Sequence, residues 1–366
     1  MRFLMLNWRD PKNPKAGGAE KVTLAYWSAL VQRGHEAVWF ANDFPGAKRE
    51  EVNQGITFVR GGGSGASIVE AIRWYRRQPC FDLVVDQHHG IPWFAPWWCR
   101  THCVAYIHEV LGPIWNAFYR WPLNSLGRWQ ERWTHSLYRG VPFWTPSEST
   151  RKALHAHGVP SVSVFPNGVD TQPLATLEAK PLAPPLRLVT VSRLAPNKRV
   201  NHALRVVQRL ADAGLDARLR IVGTGDMEAE LRRRVAEWKL DARVSFAGPL
   251  SEAEKEREMR AAHFLVHTSL REGWGLNVIE ANALGTPAVV YPVDGLVDST
   301  IPGETGIVVA EESPEAIAEA LRQMLRSPDR YEHFRRQAWE RAKSLQWERV
   351  LPPACDWLER QARGGP

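Results

Sequence analysis

The chain has 366 residues, 44% hydrophobic and 24% charged, with a formal net charge of +7 and four cysteines. That length predicts two or three domains of roughly 100–200 residues each. Four cysteines in so long a chain are not a disulfide framework, no window approaches ~18 uninterrupted apolar residues, and basic charge without a recognisable module does not indicate nucleic acid.

The apolar run before Arg9 and Asp10 is too short for a signal peptide, so a cytoplasmic protein is expected, soluble or peripheral on the inner face of the cell membrane. The chain opens with a strand, RFLML, and a ten-residue loop. Gly17-Gly18-Ala19-Glu20 then starts a helix that stops at Gly34 before the strand EAVWFA. Paired glycines at a helix start let a phosphate or sugar approach the backbone, whereas a dinucleotide fingerprint would need G-x-G-x-x-G there, so NAD is disfavoured. The cluster Cys99, His102 and Cys103, with His88 and His89 nearby, lacks the spacing of a structural zinc site. A strand VAYIHEV ends with His108 and Glu109.

Twelve of the seventeen tryptophans precede residue 150. From Trp115 to Arg139, Leu123, Leu126, Trp129, Trp133 and Leu137 recur at helical spacing, flanked by Arg120, Arg128, Arg132 and Arg139. Such a stripe can pack into a core, or it can rest on an anionic membrane or meet a lipid-linked acceptor. Core packing is the expectation weighed first. Trp93, Trp97, Trp98, Trp115 and Trp121 offer ring faces for an acceptor cleft.

The Pro-rich stretch Pro173 to Arg187 reads as an interdomain connection. Beyond it, LRLVTVSRLAPNK is a strand followed by a loop carrying Arg193 and Lys198, two cations placed to neutralise a diphosphate. IVGTGD brings Gly223 and Gly225 after another strand, a turn as often structural as ligand-binding. HFLVHTS is a buried strand, and EGWGLNVIEANALGTPAV (Glu272 to Val289) adds a glycine turn, a helix and a further strand. Its Trp274, Gly275 and Leu276 stand at the helix start, where N–H groups and the helix dipole favour phosphates. Glu272 sits at that mouth and Glu280 about one turn inside. The bland alternative for this pair is two solvated helix charges. Near the end, YEHFRRQAWERAKSLQWERV predicts one long helix, interrupted at Pro352-Pro353.

The Glu272/Glu280 spacing resembles the E-x7-E signature of retaining glycosyltransferases with the GT-B fold, most closely the family-4 group. SRLAPNK resembles that group's pyrophosphate-binding segment, GGAE its N-terminal start, and His108 the place of its donor-sugar histidine. TPSEST and FPNGVD also match. Trp274 stands where Phe or Leu is more usual, and Asn197-Lys198-Arg199 where Lys-Gly is common. The resemblance implies an α/β fold of two facing Rossmann-like domains with parallel sheets. Residues 1–170 would be acceptor-binding, 171–345 nucleotide-sugar-binding, and 346–366 a helical tail packing back on the first domain.

It also implies a retaining transferase moving a sugar from a nucleoside diphosphate sugar to a sugar, lipid-linked or small-molecule hydroxyl, in cell-surface glycan, exopolysaccharide or glycolipid synthesis. The catalytic set would be His108, Arg193, Lys198 and Glu272. The donor would be bound by Gly17, Gly18, Gly223, Gly225, Trp274, Gly275, Leu276 and Glu280, with no metal or other cofactor required. The alternatives are a sugar-nucleotide 2-epimerase and a non-catalytic nucleotide-sugar-binding subunit. The retained site residues and the E-x7-E spacing weigh against both.

Overall fold

The computed structural model describes residues 1–63 and 65–365. The chain divides into two compact units. The first comprises Met1–Leu111, Ser125–Gly168 and the chain from Trp347 on; the second comprises Gly112–Asn124 and Val169–Gln346.

The first unit holds the strands β1 (Arg2–Leu6), β2 (Glu36–Ala41), β3 (Glu50–Asn53), β4 (Ile56–Arg60), β5 (Leu83–His88), β6 (His102–Ile107), β7 (Phe143–Thr145) and β8 (Val162–Val164). They form one sheet in the order β3-β4-β2-β1-β5-β6-β7-β8. Only the β3–β4 pair is antiparallel. Every residue of β5 is buried, as in a parallel strand covered on both faces. In register, Phe3 lies between Ala37 and Leu83. The tail helix Trp347–Ala362 packs on the helix Gly18–Gln32, where Tyr26 meets Trp347 edge-on at 6.0 Å between ring centroids.

The second unit has β9 (Leu186–Val191), β10 (Ala217–Val222), β11 (Val244–Gly248), β12 (Phe264–His267), β13 (Ala288–Val290) and β14 (Gly306–Val308). Their order is β11-β10-β9-β12-β13-β14, parallel throughout. The helix Val200–Asp212 turns Val200, Ala203, Leu204, Val207 and Leu210 inward, a 3.6-residue period read directly from its sequence. In both units the strand order reverses beside the first strand, between β1 and β5 and between β9 and β12. The crevice at the carboxyl ends there is where such sheets take ligands.

Two expectations are corrected. Pro352 and Pro353 lie inside the helix Trp347–Ala362. The break falls earlier, at Leu345–Gln346, after the helix Pro328–Ser344. A proline's φ suits a helix, and this pair, in the second turn, removes two backbone donors without ending it.

The second correction concerns the helix Leu123–Leu137, whose buried residues are Gly127, Glu131, Thr134 and His135. Its apolar stripe faces out: Leu126, Trp129, Trp133 and Leu137 are 55%, 65%, 46% and 40% exposed. The inner face is anchored by polar contacts instead. The Glu131 carboxylate accepts from the Leu111 N–H at 2.5 Å, and His135 Nδ1 meets His157 Nδ1 at 2.7 Å. The space beneath is already filled by Tyr138, Phe143 and Leu154.

Candidate functional site

Within the second unit, the loops after β9 and β12 flank the crevice. Gly223 and Gly225 explain how the first loop is held. A Cβ on Gly223 would lie 2.0 Å from the Ser192 carbonyl oxygen, and one on Gly225 would lie 2.5 Å from that of Leu194. With no side chains there, the strands' extensions zip together: Ser192 N–H donates to Val222 at 3.1 Å, Leu194 N–H to Thr224 at 2.9 Å, and Met227 N–H to Leu194 at 3.0 Å. The glycines therefore have a packing reason of their own. They fix the backbone that carries Arg193, whose exposed side chain has no ion pair or hydrogen bond among the described residues.

Lys198 ends the short 3-10 turn Pro196–Lys198. That turn is stitched to the loop after β12. Leu270 N–H donates to the Asn197 carbonyl at 2.8 Å, Thr268 Oγ1 donates to the Arg199 carbonyl at 3.0 Å, and the Arg199 guanidinium donates to Thr268 and Ser269 carbonyls at 2.8 Å each. This stitching brings the Lys198 ammonium onto Glu272 Oε1. Burial works against charge on Glu272, yet the Lys198 ammonium outweighs it and holds the carboxyl below its usual range.

His267 Nε2 lies 3.7 Å from the same oxygen. Burial, with Lys198 adding to it, pushes this imidazole down to about 4, so at neutral pH it is uncharged and Lys198 is the cation that sets Glu272. His267 escaped the sequence reading because a lone histidine ending a buried strand carries no pattern.

The turn after Glu272 leads into the helix Leu276–Ala283. Trp274 is buried, and its indole N–H has no partner among the described residues. Gly275 has φ +86°, and a Cβ there would sit 2.9 Å from Ser299 Oγ, so only glycine fits this left-handed corner. Among the described residues, no side chain caps the helix start. Asn277 Nδ2 donates to the Val191 carbonyl at 2.7 Å, pinning that start to the end of β9; sequence reasoning did not single out Asn277. Glu280 is buried and pairs with Lys255 at 3.1 Å. Lys255 also pairs with Glu252 at 2.7 Å, and despite burial the two carboxylates hold its ammonium above the usual lysine range. Neither Glu272 nor Glu280 is a solvated surface charge.

In the first unit, Gly17 is the residue before the helix Gly18–Gln32, in extended conformation. Among the described residues, a Cβ there would meet Glu20 Oε2 alone, at 3.9 Å, so the space beside this helix start is open. Buried Glu20 accepts from Gly17 N–H at 2.7 Å and from Arg9 Nε at 3.1 Å. His108 follows β6. Gln87 Oε1 is taken by Asn7 Nδ2 at 2.8 Å and Thr23 Oγ1 at 3.1 Å, so the Gln87 amide donates to His108 Nε2 at 3.0 Å. That leaves the proton on Nδ1. Burial, then neighbouring His89, pushes the imidazole down to about 3, so His108 is neutral and offers a donor rather than a positive charge.

Gly17, Gly18, Glu20 and His108 thus share one polar cluster at the carboxyl ends of β1, β5 and β6, while Arg193, Lys198, Glu272, Trp274, Gly275, Leu276 and Glu280 share the crevice edge of the second unit. Among the tryptophans expected at a cleft, Trp93 is fully buried and stacked on Trp8 at 4.5 Å, so it is core. Trp97 and Trp121 are 54% and 81% exposed.

Two family descriptions match the chain: Glycosyl transferases group 1 over residues 177–341 and Glycosyltransferase Family 4 over residues 16–173. The chain is 28% identical to the 2-deoxystreptamine glucosyltransferase of Streptomyces kanamyceticus over 295 residues, covering 72% of this chain and 73% of that protein. It is 35% identical to the GDP-mannose-dependent alpha-(1-6)-phosphatidylinositol dimannoside mannosyltransferase of Mycobacterium tuberculosis over 164 residues, or 44% of this chain and 41% of that one. That match spans less than half the length of the mycobacterial relative. Sucrose-phosphate synthase from Thermosynechococcus elongatus has the same fold, with a TM-score of 0.81 over 99% of both chains at 20% identity.

Proposed function

The chain belongs to the GT-B glycosyltransferases of the family-4 type, and from that membership we propose that it moves a sugar from a nucleoside diphosphate sugar to a hydroxyl acceptor with retention at the anomeric carbon. The acceptor is a sugar, lipid-linked or small-molecule hydroxyl in cell-surface glycan, exopolysaccharide or glycolipid synthesis, and the enzyme works in the cytoplasm, peripherally at the inner face of the membrane. The observation that carries the reading is the juxtaposition at the β9/β12 crevice of the Lys198–Glu272 pair, an uncommitted Arg193 and an uncapped helix start.

As the bond from C1 to the diphosphate oxygen breaks, negative charge grows on the diphosphate and positive charge on the sugar ring. Arg193, Lys198 and the N–H groups around Trp274, Gly275 and Leu276 stabilise the first of these where it develops. Glu272 accepts hydrogen bonds from donor sugar hydroxyls while remaining ionised, and Glu280 accepts them from ribose hydroxyls. Neutral His108 donates from Nδ1 to the sugar. With two cations and a helix start supplying positive charge, no divalent cation is needed. The acceptor oxygen attacks C1 from the face the diphosphate leaves, its hydroxyl proton passing to the departing diphosphate oxygen, and no covalent glycosyl-enzyme forms.

The reading is tested by thermal shift of the purified chain with UDP, GDP, TDP and their sugar conjugates, since a ligand that binds only the folded state raises the melting temperature. A shift with one base family, weakened in Glu280→Ala, is expected. No shift with any nucleotide sinks the proposal.

A further inference from the structure

We infer that the outward face of the helix Leu123–Leu137 docks on an anionic lipid surface. The inference rests on the peripheral location proposed above, not on the reaction, and it names the face and the lipid charge.

This helix is amphipathic the wrong way round for a water-facing element. Its polar residues Glu131, Thr134 and His135 are buried, while Leu126, Trp129, Trp133 and Leu137 stand in solvent along one side. The rings of Trp129 and Trp133 lie nearly parallel, with 6.2 Å between centroids and 8° between planes, so the two indoles stand together on the exposed side. Tryptophan rings with an apolar body and a polar N–H favour the boundary between headgroups and acyl chains.

Charge selects the occupant. Arg128, Arg132 and Arg139 are exposed and make no ion pair among the described residues. From Ser125 to Gly140 the one acidic residue is Glu131, turned inward onto the Leu111 N–H. An anionic lipid surface answers both the arginines and the apolar stripe. A second copy does not: a two-fold contact through this face would set unanswered arginines against themselves. Near an anionic leaflet each arginine contributes about 1 kcal/mol, roughly a five-fold change in binding, so three together contribute about 100-fold.

The test uses the full chain in co-sedimentation with vesicles of phosphatidylcholine alone or mixed with phosphatidylglycerol, at low and high salt. The wild type should bind the mixed vesicles, lose most binding at high salt and hold weakly to phosphatidylcholine. Arg128→Gln/Arg132→Gln/Arg139→Gln should bind mixed vesicles about 100-fold more weakly, and Trp129→Ser/Trp133→Ser should also lose binding. All are surface changes, so an unchanged melting temperature confirms folding. If the wild type binds no vesicles, the inference and the peripheral location fall together. If it binds and both variants bind equally, the location stands and this face is wrong. A wild-type oligomer that the tryptophan variants dissolve, with no vesicle binding, hands the face to a second copy and overturns the inference. Nucleotide thermal shifts on the same samples report separately on the transferase reading.

Discussion

Arg193 and Lys198 carry the same charge but differ as experimental targets. Lys198 is tied to Glu272, so removing it strands a half-buried carboxylate and mixes stability with catalysis. Arg193 is exposed, and its side chain has no ion pair or hydrogen bond among the described residues. Arg193→Ala should therefore lower kcat about 100-fold, the scale of one lost donor to a developing anion, while the melting temperature stays put. Near-normal turnover would remove Arg193 from the leaving-group site.

Glu280 supports a complementary prediction. Its partner Lys255 keeps Glu252 when Glu280 is cut away, so Glu280→Ala should leave the fold intact and raise the donor KM. A charged hydrogen bond to a ribose is worth ~1.5–3 kcal/mol, about ten- to 150-fold. An unchanged donor KM argues against any nucleotide contact. The sequence marked both residues because their chemistry is local, a charge at a set distance from a glycine turn. Asn277 and Lys255 were illegible because each acquires its role from a neighbour in another element, Val191 and Glu280, and His267 because a lone histidine ending a buried strand carries no pattern.

At the scale of elements, the glycine turn after β10 is a structural brace for the loop after β9. Gly223 has φ +122°, and any side chain there would meet the Ser192 carbonyl. Gly223→Ala should destabilise the protein by about 2–4 kcal/mol through strain and the broken backbone pairing, read as a lower denaturant midpoint, with weaker nucleotide binding alongside. A midpoint within error of wild type would mean that the two loops part easily. The helix Leu123–Leu137 makes the opposite point about legibility. Its periodicity correctly announced an apolar stripe, but a stripe has no sign. Which side faces the core depends on what the sheet has left unfilled, and here Tyr138 and Phe143 occupy that space.

For the molecule as a whole, buried histidines dominate acid behaviour. Burial pushes His88, His89, His108 and His135 down to about 3 and His263 and His267 to about 4. Between those values and the ordinary ~6.5 of an unfolded histidine, the unfolded chain binds more protons than the folded one, so stability rises with pH across that window. Glu272, held below its ordinary value, acts in the same direction at lower pH. Asp86 opposes them: burial raises it to about 6, so its contribution falls as pH climbs toward that value. One opposing carboxyl against six histidines leaves the histidine sign. The melting temperature should drop clearly from pH 7 to pH 5; a flat profile would show these imidazoles to be better solvated than their burial indicates. Lys180, buried and pushed down to about 7, continues the trend by adding stability as pH rises from 7 toward 10.

The fold class and the strand, glycine turn and helix start around Glu272 and Gly275 were readable from the chain because they follow one another within a few residues, and backbone sterics dictate what such a run can do. The direction in which the Leu126–Leu137 stripe faces, the tautomer of His108 set through Gln87, and the pairing of Glu280 with Lys255 were decided only in three dimensions. Each depends on which distant groups the folded sheets bring within hydrogen-bond or packing distance, and local spacing does not encode that.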